Sequence, residues 1–324
     1  VPSYRTGVVT GIRGQRPGLQ RVEVDGEPAY VLTQLIGTVA VGDRVVVNTT
    51  AVDLGVGSGG WHVVHWNLER ESWSEPGPGT VMKLRYTSLQ VDTGAAEEDI
   101  GLPPAADLDG RPVVACSLHS QVAGVAAAFG RCAPGRRLVY VMTDSAALPL
   151  VLSELVHELR ARGLLADTVT CGQAFGGGYE AVSVPSALQV AVAVAGADAV
   201  VVGPGPGVVG TGTAYGFGGV EVAAVVAAAS HLGAMPITAV RYSDADARPR
   251  HRGVSHHTTT ALALARVRSL VAVPRGADFE GVEVDVPDDL DFGSATTMGR
   301  TPAEDPGFFR WAAAAGVLAA TLLA

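Results

Sequence analysis

Five segments in the second half of the chain carry side chains able to do chemistry, each directly after an apolar run. They are His119-Ser120-Gln121, Thr143-Asp144-Ser145, Cys171-Gly172-Gln173 with Gly176-Gly177-Gly178, the run GPGPGVVGTGTAYGFGGVE from Gly203 to Glu221, and RYSDADARPRHRGVSHH from Arg241 to His257. An imidazole titrates near neutrality, so His119 reads as a general base or a metal ligand. Its plainer role is in the first turn of a helix, with Ser120 or Gln121 satisfying free amides. Asp144 either orients His119, holds a metal or caps the next helix. Thr143 belongs to the same strand end.

The glycine run holds eight glycines in nineteen residues. Without side chains, main-chain amides can crowd around an anionic ligand. Gly205, Gly207, Gly210 and Gly212 supply that freedom, and the Thr211 and Thr213 hydroxyls either bind an oxyanion or brace the turn. Gly205, Gly207 and Gly210 fit G-x-G-x-x-G in letters, but no acidic residue follows about 20 positions on, as a dinucleotide site requires. In the last segment, Asp244, Asp246, His251, His256 and His257 offer oxygen and nitrogen donors. Their spacing matches no established ligand motif, so no metal is assigned. Arg248, Arg250 and Arg252 make an anion site, or else pair with Asp244 and Asp246 in a solvated loop. Ser255 is a natural helix cap. Adjacent helical residues lie about 100° apart, so one of His256 and His257 is expected to face the site and the other to pack outward.

Other chemistries are narrowed by composition. Of 23 basic residues only Lys83 is a lysine, so a lysine-bearing phosphate loop is excluded and a Schiff base could form only there. Cys171 is weighed as a nucleophile for His119 against the commoner small buried thiol. The three cysteines are odd in number and widely spaced, which suits a reducing compartment. A net charge of −9 argues against nucleic acid as a partner. VPSYRTG lacks the pattern of a signal peptide, and WAAAAGVLAATLLA is too short for a membrane span. That tail is expected to be a closing helix, buried on its own domain or against another subunit.

The elements that must position these residues follow from periodicity. Residues 1–94 carry short β-branched runs (RTGVVTGI, LQRVEV, PAYVLT, DRVVVNTT, WHVVHWN) with a hairpin signal at Asp25-Gly26, which predicts a small β-barrel-like domain. TVMKLRYTSLQV is expected to add one strand. His62 and His65, beside Trp61 and Trp66, face opposite sides of their strand and form no metal site by themselves. Residues 95–110 read as a linker. From 111 to 324, PVVACSL, RLVYVMT, ADTVTC, DAVVVG, MPITAVRYS and SLVAVP alternate with alanine-rich helical stretches, one of them ALPLVLSELVHELRARG. The pattern predicts a mostly parallel, doubly wound α/β domain. Ligands in such sheets bind beyond the carboxyl ends of the strands, so all five segments converge on one rim.

The segments NTTAVDLGVGSGGWHVV, GTVMKLRYTSLQ, LHSQVA, YVMTDSAALPL, AFGGGYEAV, GPGPGVVGTGTAYGFGG, RHRGVSHHT and TMGRTPAEDPGFF together resemble the bacterial family known as domain of unknown function 3866. The resemblance spans essentially the whole chain and implies a bacterial, cytoplasmic protein, with no activity or cofactor to carry over. The order of a β domain, GVGSGGWHVV and an α/β domain is similar to the substrate-binding subunits of glycine, sarcosine and betaine reductases. Those self-cleave at a cysteine, and Cys171 departs from them by following Thr170 rather than asparagine. Two functions remain open: an enzyme or binder of a small anionic metabolite at the rim, or a non-catalytic homo-oligomeric assembly or ligand sensor. Low charge content (17%) favours extensive buried contact and hence a homo-oligomer.

Overall fold

A computed structural model describes residues 1–99 and 107–324. The chain divides into two compact units: Val1–Pro78 with Leu84–Asp92, and Gly79–Lys83 with Thr93–Ala324. Most of the expected linker's centre, 100–106, lies outside the described residues. Next to it, Ala96–Asp99 forms a helical turn and Leu108 is buried, its amide donating to Leu232 O.

The first unit is a closed barrel of β1 (Tyr4–Arg16), β2 (Leu19–Val24), β3 (Glu27–Leu32), β4 (Arg44–Asn48) and β5 (His62–Asn67), in the order β1-β2-β3-β5-β4. β1 is long because it serves two neighbours. Its first half pairs with β4 and its second with β2, with register shifts around Gly11 and Gly14 that let it curl. Asp25 and Gly26 both take positive φ, as a tight two-residue hairpin demands. Alternate valines (Val9, Val22, Val24, Val31, Val45, Val47) fill the interior. His62 is buried against Glu27, while His65 lies edge-on to Tyr4.

TVMKLRYTSLQV does not form one strand. Only Met82–Lys83 and Val91–Asp92 are extended, because Leu84 and Tyr86 sit in the left-handed region, which ends any β run. Lys83 is instead drawn inward. Its ammonium donates to Thr170 O, Ala174 O and Glu180 Oε2 at 3.0, 2.6 and 2.5 Å. The chain's one lysine is thus a buried strut, with all three of its protons in use.

The second unit carries an eight-stranded sheet. Its strands are β6 (Pro112–Ala115), β7 (Leu138–Thr143), β8 (Asp167–Thr170), β9 (Tyr179–Glu180), β10 (Ala199–Pro204), β11 (Met235–Ala239), β12 (Leu270–Pro274) and β13 (Val282–Val284). They lie in the order β9-β8-β7-β10-β6-β11-β12-β13, and every pairing is parallel. The six expected strands are present, and two short edge strands, β9 and β13, extend them. One face is covered by α1 (Gln121–Cys132), α2 (Glu154–Ala161) and α6 (Pro306–Thr321), the other by α3 (Val184–Ala193), α4 (Val222–His231) and α5 (His256–Leu264).

From β6 the chain runs toward one edge, then returns to place β10 between β7 and β6. The connections leaving β7 and β10 therefore diverge, opening a crevice at their carboxyl ends. The apolar tail closes the unit as α6, packed on α1. A Cβ on Gly124 would lie 2.8 Å from Phe309 O, and one on Gly316 would overlap Val125 O, so the two helices touch through their backbones. Among the described residues no helix is long and apolar enough to cross a membrane.

Candidate functional site

At the end of β6 the backbone is held by Gln121. Its Oε1 accepts from the Ser117 and Leu118 amides at 2.9 and 3.0 Å, and its Nε2 donates to Ala239 O at 3.1 Å. The side chain is fully buried, so it braces the rim rather than meeting a ligand. The brace sets the direction of His119. Nδ1 of His119 lies 3.0 Å from Pro204 O and 3.2 Å from the Tyr140 hydroxyl, which itself donates to Pro204 O at 2.8 Å. A carbonyl only accepts, so Nδ1 carries the proton and Nε2 presents its lone pair. That lone pair meets Ser153 Oγ at 2.7 Å.

Burial pushes the His119 pKa down to about 4, partly opposed by the Pro204 carbonyl, and the ring is neutral at pH 7. Ser153 caps α2, accepting from Val156 N at 3.0 Å. The sequence pattern had run one helix through this position. Instead a 3-10 turn at Leu150–Leu152 breaks it, and Ser153, in an extended conformation, starts a new helix. The signal was the Ser153-Glu154 pair ahead of an apolar helix, a common N-terminal pattern.

His119, Ser120, Ser153, Gly207 and Thr297 line a cavity of about 390 Å³ beneath the glycine loop. Ser120 Oγ donates to Thr297 Oγ1 at 3.3 Å. Gly207 takes a φ of +84°, a conformation glycine adopts without strain, and brings loop backbone to the cavity wall.

Other residues expected at the rim are engaged elsewhere. Asp144 accepts from the Gln173 amide at 2.9 Å, so the Pro204 carbonyl, not Asp144, orients His119. Thr143 donates to Glu221 Oε1 at 2.5 Å, and burial raises the Glu221 pKa while the Thr143 and Ser145 hydroxyls lower it. Glu221 is a half-buried acid that the sequence pattern does not single out. Cys171 is buried, bonded to Met142 O at 3.6 Å, with its thiol pKa pushed up to about 12, a poor nucleophile.

In the glycine loop, Gly205 has no room for a Cβ, which would lie 2.5 Å from Ala147 O. Gly210 bridges Phe217 across the loop. Thr211 and Thr213 bond each other and the Gly216 backbone, so their hydroxyls hold the turn. A Cβ on Gly212 would meet open space.

Farther along the loop lies a second neighbourhood. His257 stacks on Phe217 with ring centroids 3.7 Å apart, and Arg241 Nη1 donates to its Nδ1 at 2.6 Å. His251, from the turn Pro249–His251, bonds Ser255 Oγ through Nδ1 at 2.7 Å. One ligand nitrogen from each of His251, His256 and His257 lies within 4.8 Å of the others. His256 and His257 do not diverge as a helix interior requires. They occupy its first two positions after the Ser255 cap, where no preceding turn restricts the side chains. Burial and nearby Arg241 hold His251 at about 3 and His257 at about 2, and His256 is lowered for the same first reason. Asp246 is taken by Arg248 in a two-point pair at 2.9 and 2.8 Å, and Asp244 accepts from the Gly307 amide. Arg250 is exposed at the edge of this cluster.

The expected site residues thus fall into two neighbourhoods, His119-Ser120-Gly207 and Gly210-His256-His257, with Asp144, Thr143 and Gln121 in supporting contacts. A family model described as Protein of unknown function (DUF3866) matches residues 28–291. The chain belongs to the DUF3866 family. No curated protein and no solved structure matches it. The match runs through β3 to β5 and every segment contributing to the two neighbourhoods except Thr297.

Proposed function

We propose that this DUF3866 protein is an enzyme of small-molecule acyl transfer or ester hydrolysis, with Ser153 as nucleophile and His119 as general base. The observation that carries this reading is the 2.7 Å contact between His119 Nε2 and Ser153 Oγ on the wall of a substrate-sized cavity. His119 takes the hydroxyl proton as Ser153 Oγ attacks the acyl carbon. It then gives that proton to the leaving group, and water resolves the acyl-serine by the same route in reverse. The Pro204 carbonyl fills the orienting place that a carboxylate holds in a triad. The Gly207 and Val208 amides on the cavity wall, which no described acceptor takes, suit the developing oxyanion.

An active-site-directed fluorophosphonate tests this. The expected product is one covalent adduct, mapped to Ser153 by peptide mass and absent from Ser153→Ala. An unlabelled wild-type chain, or a label that survives in Ser153→Ala, overturns the assignment. A second reading, binding of a small anionic metabolite, is favoured at the other neighbourhood, where Arg241, Arg248 and Arg250 gather. A thermal-shift screen of phosphates and carboxylates against wild type and Arg250→Ala tests it; an equal response from both removes Arg250 from the reading. The assembly reading drew on the apolar tail, the aromatic segment around Trp61 and Trp66 and the low charge content; of these, the tail is buried as α6 on its own unit.

A further inference from the structure

We propose that His251, His256 and His257 form a three-nitrogen site for a divalent ion of the zinc class. Three neutral imidazoles with nitrogens inside 4.8 Å are the donor set that zinc, cobalt and nickel favour. An independent observation points the same way: His256 Nε2 is buried and has no hydrogen-bond partner among the described residues. An orphaned buried nitrogen costs about 1–3 kcal/mol, and a bond to an ion satisfies it.

The outer contacts are those of ligands held from behind. With its proton on Nδ1, His251 donates to Ser255 Oγ at 2.7 Å, which leaves the Nε2 lone pair free. Arg241 donates to Nδ1 of His257, so the one proton of that ring sits on Nε2; for Nε2 to bond the ion as a neutral imidazole, the Arg241 contact gives way and the proton moves through solvent to Nδ1. Asp246 is held by Arg248 and Asp244 by the Gly307 amide, so neither joins the set. Three protein ligands leave one position open, and the neighbouring arginines suit an anion there.

The test is titration of the chelator-stripped full chain with Zn²⁺ by calorimetry and with Co²⁺ by visible absorption. Wild type is expected to take one equivalent and to give the intense bands of tetrahedral cobalt. His256→Ala should weaken binding by more than the roughly 10–100-fold that loss of an outer-shell partner costs. If that variant fails to fold, His256→Gln serves, with far-ultraviolet circular dichroism as the check. His231→Ala, at an exposed site, should bind as wild type does. No uptake by wild type, or equal uptake by His256→Gln, overturns the proposal.

Discussion

His119 and the His251-His256-His257 trio stand on the same rim of one sheet, yet their nitrogens are used in opposite ways. Both nitrogens of His119 are engaged, Nδ1 by the Pro204 carbonyl and Nε2 by Ser153, so the tautomer is fixed and the lone pair is aimed at one hydroxyl. In the trio, Ser255 and Arg241 engage the Nδ1 atoms of His251 and His257, and His256 Nε2 has no partner among the described residues. A ring with both nitrogens paired is preorganised to move a proton. A ring whose buried nitrogen is unpaired, as in His256, is preorganised to receive something absent from the chain itself. The residue type is the same, and the surrounding acceptors and donors decide the chemistry.

The sharpest way to break this contrast is through rate. His119→Gln should slow labelling of Ser153 by about 10²–10⁴-fold, the usual worth of a general base. Chelator treatment of wild type should leave that labelling rate unchanged. A chelator-sensitive rate would merge the two neighbourhoods into one site.

Next in size is Gln121→Leu. It leaves the buried Ser117 and Leu118 amides without an acceptor, at about 1–3 kcal/mol each. Urea unfolding should show the loss. A stability change within error would mean that the rim near His119 is not held by this side chain.

Acidification separates the two neighbourhoods below pH 4, where only the trio still contributes. Folding holds His119 neutral, shifting it from 6.5 to about 4, so the unfolded chain binds the proton more readily. Its contribution is complete above pH 6.5 and is lost as pH falls from there toward 4. The trio carries the same sign further down, toward about 3 for His251 and about 2 for His257. His119→Phe should therefore lessen the slope of a stability–pH curve between about pH 6.5 and 4, where the trio also contributes, and leave the slope below pH 4 unchanged. Flattening of both parts would show the groups to be coupled.

The smallest effect belongs to the loop threonines. Thr211→Ala removes an exposed hydroxyl that serves only its own turn, and it should change stability by no more than about 0.5 kcal/mol. It should leave both cobalt uptake and labelling as they were. A loss of either would place Thr211 in a ligand contact.

Much of the frame was legible because its signals are local. β7 and β10 are unbroken apolar runs, as strands buried on both faces must be, and Asp25-Gly26 announces its hairpin. Edge strands of two and three residues, β9 and β13, leave no such trace. Neither does the backbone reversal at Leu84 and Tyr86, whose side chains give no hint of positive φ. Ser153 escaped notice because LPLVLSELVHEL reads as a single helix until the 3-10 turn interrupts it. His251 and His256 are five residues apart on different elements, so no helical spacing rule could join them.

The class of fold, the family and the rim that gathers the polar and glycine-rich loops were all legible in the letters, because strand burial, turn residues and motif content are encoded in neighbouring residues. Only the tertiary structure decided which histidine faces a hydroxyl and which face one another. It alone also turned Asp144, Gln121 and Lys83 to backbone partners. Asp144, Gln121 and Lys83 each reach a partner 29 to 118 residues away, such as Asp144 with Gln173 and Gln121 with Ala239. Spacing within a segment carries no information about such partners, because the sheet order that brings them together is set by packing over the whole unit.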